Sequence, residues 1–157
     1  MGNDFAKQLV HGTTIAFGGK AVLLRGPSGS GKSSLALRLM ESPGNGLGPR
    51  LLLARLIADD QTLLEMKGGE IWASAPANIA GLLEVRGLGL LKVKAVSAKP
   101  LALVVDLVPS QKIERMPEPQ EMILEILSHS LPYLKLDPTH DDSLAKLRVV
   151  INQLNQK

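Results

Sequence analysis

The fold of this chain is decided by the stretch Ala21-Val-Leu-Leu-Arg-Gly-Pro-Ser-Gly-Ser-Gly-Lys-Ser-Ser34. It opens with a short apolar run, Ala21 to Arg25, which predicts a buried strand. A glycine-rich turn follows, and apolar residues then recur at helical spacing, which predicts a helix from about Lys32 to Glu41. A strand, a glycine-rich turn and a helix are therefore expected in immediate succession.

The turn fits the pattern G-x-x-x-x-G-K-[S/T] of a P-loop, which binds the phosphates of a nucleotide. Its glycines let backbone N–H groups converge on an anion, and the following helix adds its positive end. We expect Lys32 to reach the outer phosphates and the Ser33 hydroxyl to ligate Mg²⁺. The alternative, a Gly/Ser-rich turn that matches by chance, is disfavoured by the flanking strand and helix. The predicted nucleotide-binding residues are Gly26, Pro27, Ser28, Gly29, Ser30, Gly31, Lys32, Ser33 and Ser34.

Composition narrows the class of protein. The chain has 157 residues, of which 45% are apolar and 21% charged, as in a single globular domain. Only 3% are aromatic and the net charge is +3, so nothing favours a nucleic-acid partner. No cysteine is present, which excludes disulfides and cysteine nucleophiles. The stretch Met1 to Lys7 lacks the apolar core of a signal peptide, and no apolar run could span a bilayer, so we expect a cytoplasmic protein.

Beyond the P-loop, the chain predicts many strands and few helices, which favours a mixed sheet over a strict βαβ alternation. The fold class expected is α/β. The predicted strands and hairpins are Val10 to Phe17, Leu51 to Ile57, Gln61 to Ala75, Leu82 to Val85, Leu90 to Val96, Leu101 to Val108 and Pro132 to Leu136. Two further helices are predicted, Glu118 to Ser130 and Ser143 to Asn155. Three glycines and two prolines make Ser42 to Pro49 a loop.

Two polar segments could carry chemistry. Asp59 and Asp60 end a predicted strand, where one carboxylate could hold Mg²⁺ and the other accept a proton from an attacking hydroxyl. A solvated acidic turn is the alternative. In Glu84-Val-Arg-Gly-Leu-Gly89, the charged residues could belong to a site or form an ion pair beside a hairpin turn.

Two single residues also have non-catalytic explanations. His11 could be a structural histidine, and Arg115 in Ile113-Glu-Arg-Met-Pro117 could be an ordinary surface residue. Neither residue type, taken alone, indicates a catalytic function.

Taken in order, these segments resemble the catalytic domain of HPr kinase/phosphorylase. This bifunctional enzyme phosphorylates a serine of the phosphocarrier HPr and also removes that phosphate. The matching segments are Val10-His-Gly-Thr13, the P-loop, Leu56-Ile-Ala-Asp-Asp60, Leu83-Glu-Val-Arg-Gly-Leu-Gly-Leu90 and Ile113-Glu-Arg115. The resemblance implies a P-loop-containing mixed β-sheet flanked by helices, akin to phosphoenolpyruvate carboxykinase, and a requirement for Mg²⁺ and ATP.

The same resemblance implies roles for particular residues. Lys32 looks like the phosphate lysine, and Ser33 and Glu84 look like metal ligands. The aspartate pair looks like the site of the proton acceptor in phosphorylation, which donates the proton in dephosphorylation. Asp60 is preferred for this role and Asp59 is the alternative.

Two more residues gain a role only from the resemblance. His11 is similar to a histidine that orients the catalytic carboxylate or tunes its pKa. Arg115 resembles an arginine that contacts the phosphates or the partner protein.

The chain also departs from the family pattern. Full-length members carry an N-terminal domain, whereas residues 1–157 are expected to form a single P-loop kinase catalytic domain without it. Ser34 stands where the family usually has Glu, and the family's Gly-Arg-Asn loop is not recognisable after Arg115. The pattern resembles a shortened form from some Gram-negative bacteria, whose partner is an HPr-like protein of a regulatory phosphotransfer system.

The resemblance also implies assembly into homo-oligomers. Two other functions stay open at this point. One is a small-molecule kinase or ATPase, and the other is a nucleotide-sensing module without efficient turnover.

Overall fold

A computed structural model describes residues 6–156. Most of the stretch Met1 to Lys7, on which the prediction of a cytoplasmic location partly rests, lies outside this range. Within it the chain forms two α-helices, α1 (Lys32–Glu41) and α2 (Ser143–Asn155), and eleven strands. The strands are β1 (Lys7–His11), β2 (Thr13–Phe17), β3 (Lys20–Arg25), β4 (Ala54–Ala58), β5 (Gln61–Lys67), β6 (Glu70–Ser74), β7 (Leu82–Val85), β8 (Gly89–Lys92), β9 (Lys99–Leu107), β10 (Ile123–Ile126) and β11 (His129–Leu136).

The described strands build one mixed sheet and one separate hairpin. The main path of the sheet runs β1-β5-β6-β9-β3-β2-β4, and β10-β11 joins it through β9. β3, β9 and β11 are mutually parallel, with Arg25 opposite Asp106 and Asp106 opposite Lys135. Because the three strands are parallel, their carboxyl ends open at the same edge of the sheet. β7 and β8 pair only with each other.

The sheet is buried on both faces in its centre. Both helices pack on one face, where Leu35 and Leu147 meet Val22 and Leu24 of β3. On the other face the sheet curls over itself, and β5 and β6 cover the opposite side of β3. Strands buried on both faces read as continuous apolar runs, which is why β3 and β9 are so apolar. The predicted mixed sheet with flanking helices is confirmed, with both helices on one face.

Several local predictions are confirmed. Two of the predicted helices are found at Lys32–Glu41 and Ser143–Asn155, and the hairpin predicted from Gln61 to Ala75 is formed by β5 and β6. The strand predicted from Leu51 begins only at Ala54, and the strand predicted up to Val96 ends at Lys92. None of the helices within residues 6–156 is long and apolar enough to cross a membrane.

The strand predicted from Val10 to Phe17 is two strands that meet at Gly12. A Cβ on Gly12 would lie 2.7 Å from Leu23 Cδ1 and 2.8 Å from the Leu24 carbonyl oxygen. Only glycine allows the backbone this close to β3. The break places His11 on β1 and Thr13 on β2, on either side of the turn at Asp60.

The helix predicted from Glu118 to Ser130 is wrong. The segment forms a 3₁₀ turn at Pro119–Met122 and then the hairpin of β10 and β11. The turn residues Leu127 and Ser128 have φ of 49° and 63°, although neither is the glycine or asparagine that usually marks such turns. Antiparallel pairing of β10 with residues His129 to Pro132 of β11 outweighs the local helical preference.

The loop from Ser42 to Pro49 carries the chain from α1 to β4 and is packed against α2. A Cβ on Gly46 would clash with the backbone carbonyl of Arg148, and its φ of 57° lies in the left-handed region, so only glycine fits there. Arg148 is buried and donates to the Leu39 and Ser42 carbonyl oxygens at the end of α1. Burial disfavours the charged guanidinium and lowers the pKa of Arg148. Hydrogen bonds to the carbonyl oxygens at the end of the helix partly offset the cost of burying this charge.

Candidate active site

The P-loop connects β3 to α1 in a conformation that depends on its glycines. Gly29 and Gly31 have φ of 82° and 102°, in the left-handed region that glycine adopts without strain. Gly31 is the N-cap of α1, and the first turn of the helix contains neither an acidic residue nor a capping side chain. The first-turn N–H groups are therefore left for an external anion, which the helix end attracts.

Lys32 is held inside the P-loop. It is only 6% exposed, and Nζ donates to the carbonyl oxygens of Gly26 at 2.7 Å and Pro27 at 3.1 Å. An ammonium group has three donors, so one remains for a ligand. The predicted phosphate lysine is thus anchored to the loop by two of its three donors.

Asp59 is the buried member of the aspartate pair. It is 6% exposed and accepts hydrogen bonds from Thr13 Oγ1 at 2.9 Å, Ser33 Oγ at 2.6 Å and Glu84 N at 2.9 Å. These three partners come from β2, α1 and β7. The carboxylate therefore joins the P-loop helix to the β7-β8 hairpin.

Asp60 is the exposed member. Its side chain is 63% exposed, and Oδ1 lies 3.0 Å from His11 Nε2. The backbone is anchored, because its N–H donates to Thr13 Oγ1 at 3.2 Å and its carbonyl accepts from Gly12 N at 2.8 Å. A φ of 69° places Asp60 in the left-handed region, which aspartate tolerates better than most residues. Two adjacent carboxylates thus have different environments.

The donor set beside the P-loop fits Mg²⁺. The Ser33 hydroxyl and the Asp59 carboxylate are hard oxygen donors that meet at 2.6 Å. Glu84 joins them through its backbone N–H, and this residue is exposed. Across residues 6–156 no three His, Asp or Glu side chains cluster as a metal site. Mg²⁺ is commonly held by one or two carboxylates, with phosphate and water completing its shell, so this sparse set is sufficient.

Arg115 lines a cavity of about 450 Å³ at the carboxyl ends of β9 and β11, together with Ser110, Asp137 and His140. Among the residues that the structure describes, no hydrogen bond or ion pair joins Arg115 to Lys32, Asp59 or Asp60. The structure therefore brings His11, Lys32, Ser33, Glu84 and both aspartates together, whereas Arg115 takes part in none of these contacts.

Sequence reasoning missed the part played by Thr13. Its hydroxyl donates to Asp59 and accepts from the N–H of Asp60, so one side chain positions both aspartates. The available signal was a threonine at the start of an otherwise apolar strand, since a hydroxyl buried with that strand needs a hydrogen-bond partner.

A second group missed from the sequence is Arg25, Asp106 and Tyr133. Arg25 makes a two-pronged pair with Asp106 at 2.7 and 3.0 Å, and the Tyr133 hydroxyl donates to the same carboxylate. Burial opposes ionisation of Asp106, but the hydrogen bonds from Arg25 and Tyr133 outweigh it and lower its pKa. Burial and the bond to Asp106 raise the pKa of Tyr133 to about 12. This group ties the three parallel strands together directly before Gly26.

The fold and the site together define a P-loop protein with a mixed sheet, in which a carboxylate pair lies beside the phosphate loop. The model of the HPr Serine kinase C-terminal domain matches residues 3–151. The chain belongs to this family, as the sequence resemblance predicted.

Known proteins give the same result. The chain is 39% identical over 119 residues to the HPr kinase/phosphorylase of Bordetella pertussis, covering 69% of this chain and 35% of that protein. It is 39% identical over 93 residues to the enzyme of the same name from Mycoplasmopsis pulmonis, covering 59% of this chain and 27% of the relative. The chain thus spans about a third or less of the length of these relatives.

The fold has a counterpart among solved structures. The Hpr(Ser) kinase/phosphatase from Coxiella burnetii superposes with a TM-score of 0.71 over 95% of this chain and 88% of that chain. Sequence identity is 23%, so this likeness concerns the fold alone. It confirms the predicted fold class.

Proposed function

We propose that this chain is an ATP-dependent protein-serine kinase that acts on HPr or an HPr-like phosphocarrier. Family membership and the names of its relatives support this choice of reaction. One observation carries the proposal. The two adjacent aspartates differ, since Asp59 is buried against Ser33 while Asp60 is exposed beside His11. Phosphotransfer to a hydroxyl uses one carboxylate near the metal ion and another that accepts the proton, and the two environments match these roles.

In the proposed reaction the serine hydroxyl of the acceptor attacks the γ-phosphoryl group of ATP in line. Asp60 accepts the hydroxyl proton, and His11 holds Oδ1 so that the carboxylate keeps one orientation. Lys32 and the N–H groups at the start of α1 stabilise the charge that spreads over the phosphoryl oxygens. ADP leaves once the new phosphoester bond has formed.

Mg²⁺, when bound, would neutralise phosphate charge in this site. Ser33 and Asp59 would hold it, and Glu84 is the further ligand proposed from the family resemblance. Thr13 and the Glu84 N–H keep the Asp59 carboxylate in a single orientation. These contacts are the supports that a metal ligand needs in order to stay in place.

The same residues could support the reverse direction, in which inorganic phosphate attacks the phosphoserine, forms pyrophosphate, and breaks the bond between phosphorus and the serine oxygen. Asp60 would then donate its proton to the departing serine oxygen. We propose this second activity, the cytoplasmic location and a homo-oligomeric state on the family resemblance. Arg115 is proposed to contact phosphate or partner, and it would have to do so from the cavity wall that it lines.

The proposal is tested by incubating the chain with Mg²⁺-ATP and HPr from its own genome. One added phosphate on HPr, measured by intact mass, is the expected result. An HPr variant with alanine at the acceptor serine is the control and should stay unmodified. Rapid ATP turnover without an acceptor would favour an ATPase or small-molecule kinase. Tight ATP binding with no transfer would favour a nucleotide-sensing module.

A further inference from the structure

We infer that the nucleoside half of the nucleotide, its purine base and ribose, binds in the cavity beyond the carboxyl ends of β9 and β11. The inference rests on the proposed function, because it takes the P-loop to hold the phosphates of ATP. It assigns a site to the part of the ligand that the P-loop does not contact.

The order of the strands gives the direction. β3, which leads into the P-loop, lies between β2 on one side and β9 on the other. Asp59 and Asp60 follow β4, on the β2 side, so the reacting end of the triphosphate must face that side. β9 and β11 lie on the other side and run parallel to β3, so their carboxyl ends open at the same edge. The nucleoside end then extends towards β9 and β11.

The loop that leaves β11 lies directly against the phosphate site. A Cβ on Gly31 would lie 3.4 Å from Pro138 Cγ, which is close packing. Arg38 of α1 donates through Nη2 to the Pro138 carbonyl oxygen at 2.7 Å. Pro138 thus contacts the P-loop at Gly31 and the last turn of α1 at Arg38, and the cavity begins at the adjacent Asp137.

The cavity has the size and the lining that a nucleoside needs. Its volume is about 450 Å³, within the range of roughly 300–1,000 Å³ typical of small-molecule sites. Ile113, Pro117 and Met122 supply apolar surface, and Tyr133 supplies an aromatic side chain. Tyr133 is the one tyrosine of a chain that is only 3% aromatic. A flat base can pack against such surfaces.

Polar groups at the mouth of the cavity are held in place by Asp137. Its carboxylate accepts from Ser110 N and Oγ at 2.9 and 2.7 Å and from Thr139 N and Oγ1 at 2.9 and 2.6 Å. His140 Nε2 lies 2.7 Å from Ser110 Oγ. This contact fixes the half-exposed ring and leaves its second nitrogen for a ribose hydroxyl.

The charges of the lining favour an uncharged ligand over a second anion. Three basic side chains face the cavity, and three carboxylates balance them. The basic residues are Arg115, Lys135 and Lys146, and the acidic residues are Glu114, Glu121 and Asp137. A site built for phosphate would carry a clear excess of positive charge. The base and ribose are neutral and match this balance.

The experiment compares two ligands on matched variants. Met122→Trp fills the cavity from a residue that is 37% exposed, whereas Met116→Trp makes the same change on a residue that is 82% exposed and lies outside the lining. We expect Met122→Trp to weaken Mg²⁺-ATP binding about 10- to 100-fold, measured by calorimetry. Binding of inorganic tripolyphosphate should change less than about twofold, because it needs only the P-loop. Met116→Trp should leave both affinities near those of the parent.

Unchanged ATP binding by Met122→Trp would overturn the inference. If that variant lost both ligands equally, photolabelling of the unaltered chain with 8-azido-ATP would decide. Label within residues 110–146 supports the cavity, and label confined to other residues overturns it. Failure of the proposed function looks different. In that case the parent would bind neither ATP nor tripolyphosphate, or Lys32→Ala would leave both affinities unchanged.

Discussion

The Asp60→Asn substitution tests the proposed chemistry most directly. Asparagine adopts the left-handed backbone region nearly as well as aspartate, so the φ of 69° at this position is tolerated. It also keeps the size of the side chain and a hydrogen-bonding partner for His11. What it loses is the ability to accept a proton from the acceptor serine. The change is therefore close to a pure removal of the base.

The structure sets the expected magnitudes. Asp60 is 63% exposed and has one side-chain partner, so Asp60→Asn should change the free energy of unfolding by only about 0.5 kcal/mol. Loss of a general base typically slows transfer by about 10²- to 10⁴-fold. Asp59→Asn is the matched control. It alters a buried carboxylate with three hydrogen bonds and should cost about 1–3 kcal/mol of stability.

Three measurements separate the two aspartates. Phosphotransfer to HPr is followed by intact mass, nucleotide affinity by calorimetry, and stability by thermal unfolding. Asp60→Asn should transfer slowly, bind Mg²⁺-ATP normally and unfold like the parent. Asp59→Asn should lower stability and raise the Mg²⁺ concentration needed for binding. If Asp60→Asn transfers as fast as the parent, or loses ATP binding together with transfer, Asp60 is not the base.

Three further predictions follow from the same contacts. Lys32→Ala should slow phosphotransfer by about 10²- to 10³-fold, because it removes a positive charge positioned beside the phosphoryl group. Transfer kinetics measure the loss, and an unchanged far-UV circular dichroism spectrum shows that the fold is intact. Glu84→Gln keeps the backbone N–H that binds Asp59, so stability should hold while the apparent Mg²⁺ requirement rises. An unaltered Mg²⁺ titration would remove the Glu84 side chain from the proposed metal site. Hydrogen bonds from Thr139 and Ser110 hold the pKa of Asp137 well below its usual range. The ionised carboxylate therefore stabilises the fold at pH values above its unfolded pKa of about 3.9, and this stabilisation is lost as the pH falls through the lower pKa of the folded state. Asp137→Asn should therefore melt below the parent at pH ~7, and melting curves taken down to acidic pH should converge; a constant gap would contradict this.

The sequence by itself determined the parts of the site that lie next to one another in the chain. A P-loop needs a strand, a glycine-rich turn and a helix within about twenty residues, and α1 begins and ends where its pattern predicts. The order of the other motifs was also sufficient to identify the family, because each motif is a short contiguous segment. Local patterns of this kind can be recognised in the sequence without knowledge of the tertiary contacts.

Pairing between distant strands decided the rest. The segment from Glu118 to Ser130 has helical content locally, yet it forms β10 and enters β11, because Ile123–Ile126 pair with His129–Pro132. The other half of β11 pairs with β9, whose residues lie about thirty positions earlier in the chain, and no local signal reports that pairing. The cavity behind Arg115 has the same origin, since loops after two separate strands enclose it.

The difference between Asp59 and Asp60 shows the limit most clearly. In sequence they are identical neighbours, and either could be the base. The pairing of β2 with β4 and the position of the β7-β8 hairpin bring Thr13, Ser33 and Glu84 onto Asp59. The left-handed turn then directs Asp60 outwards to His11. The burial and hydrogen bonding on which the proposed roles of the two aspartates rest come from residues 25 to 49 positions away and exist only in the folded chain.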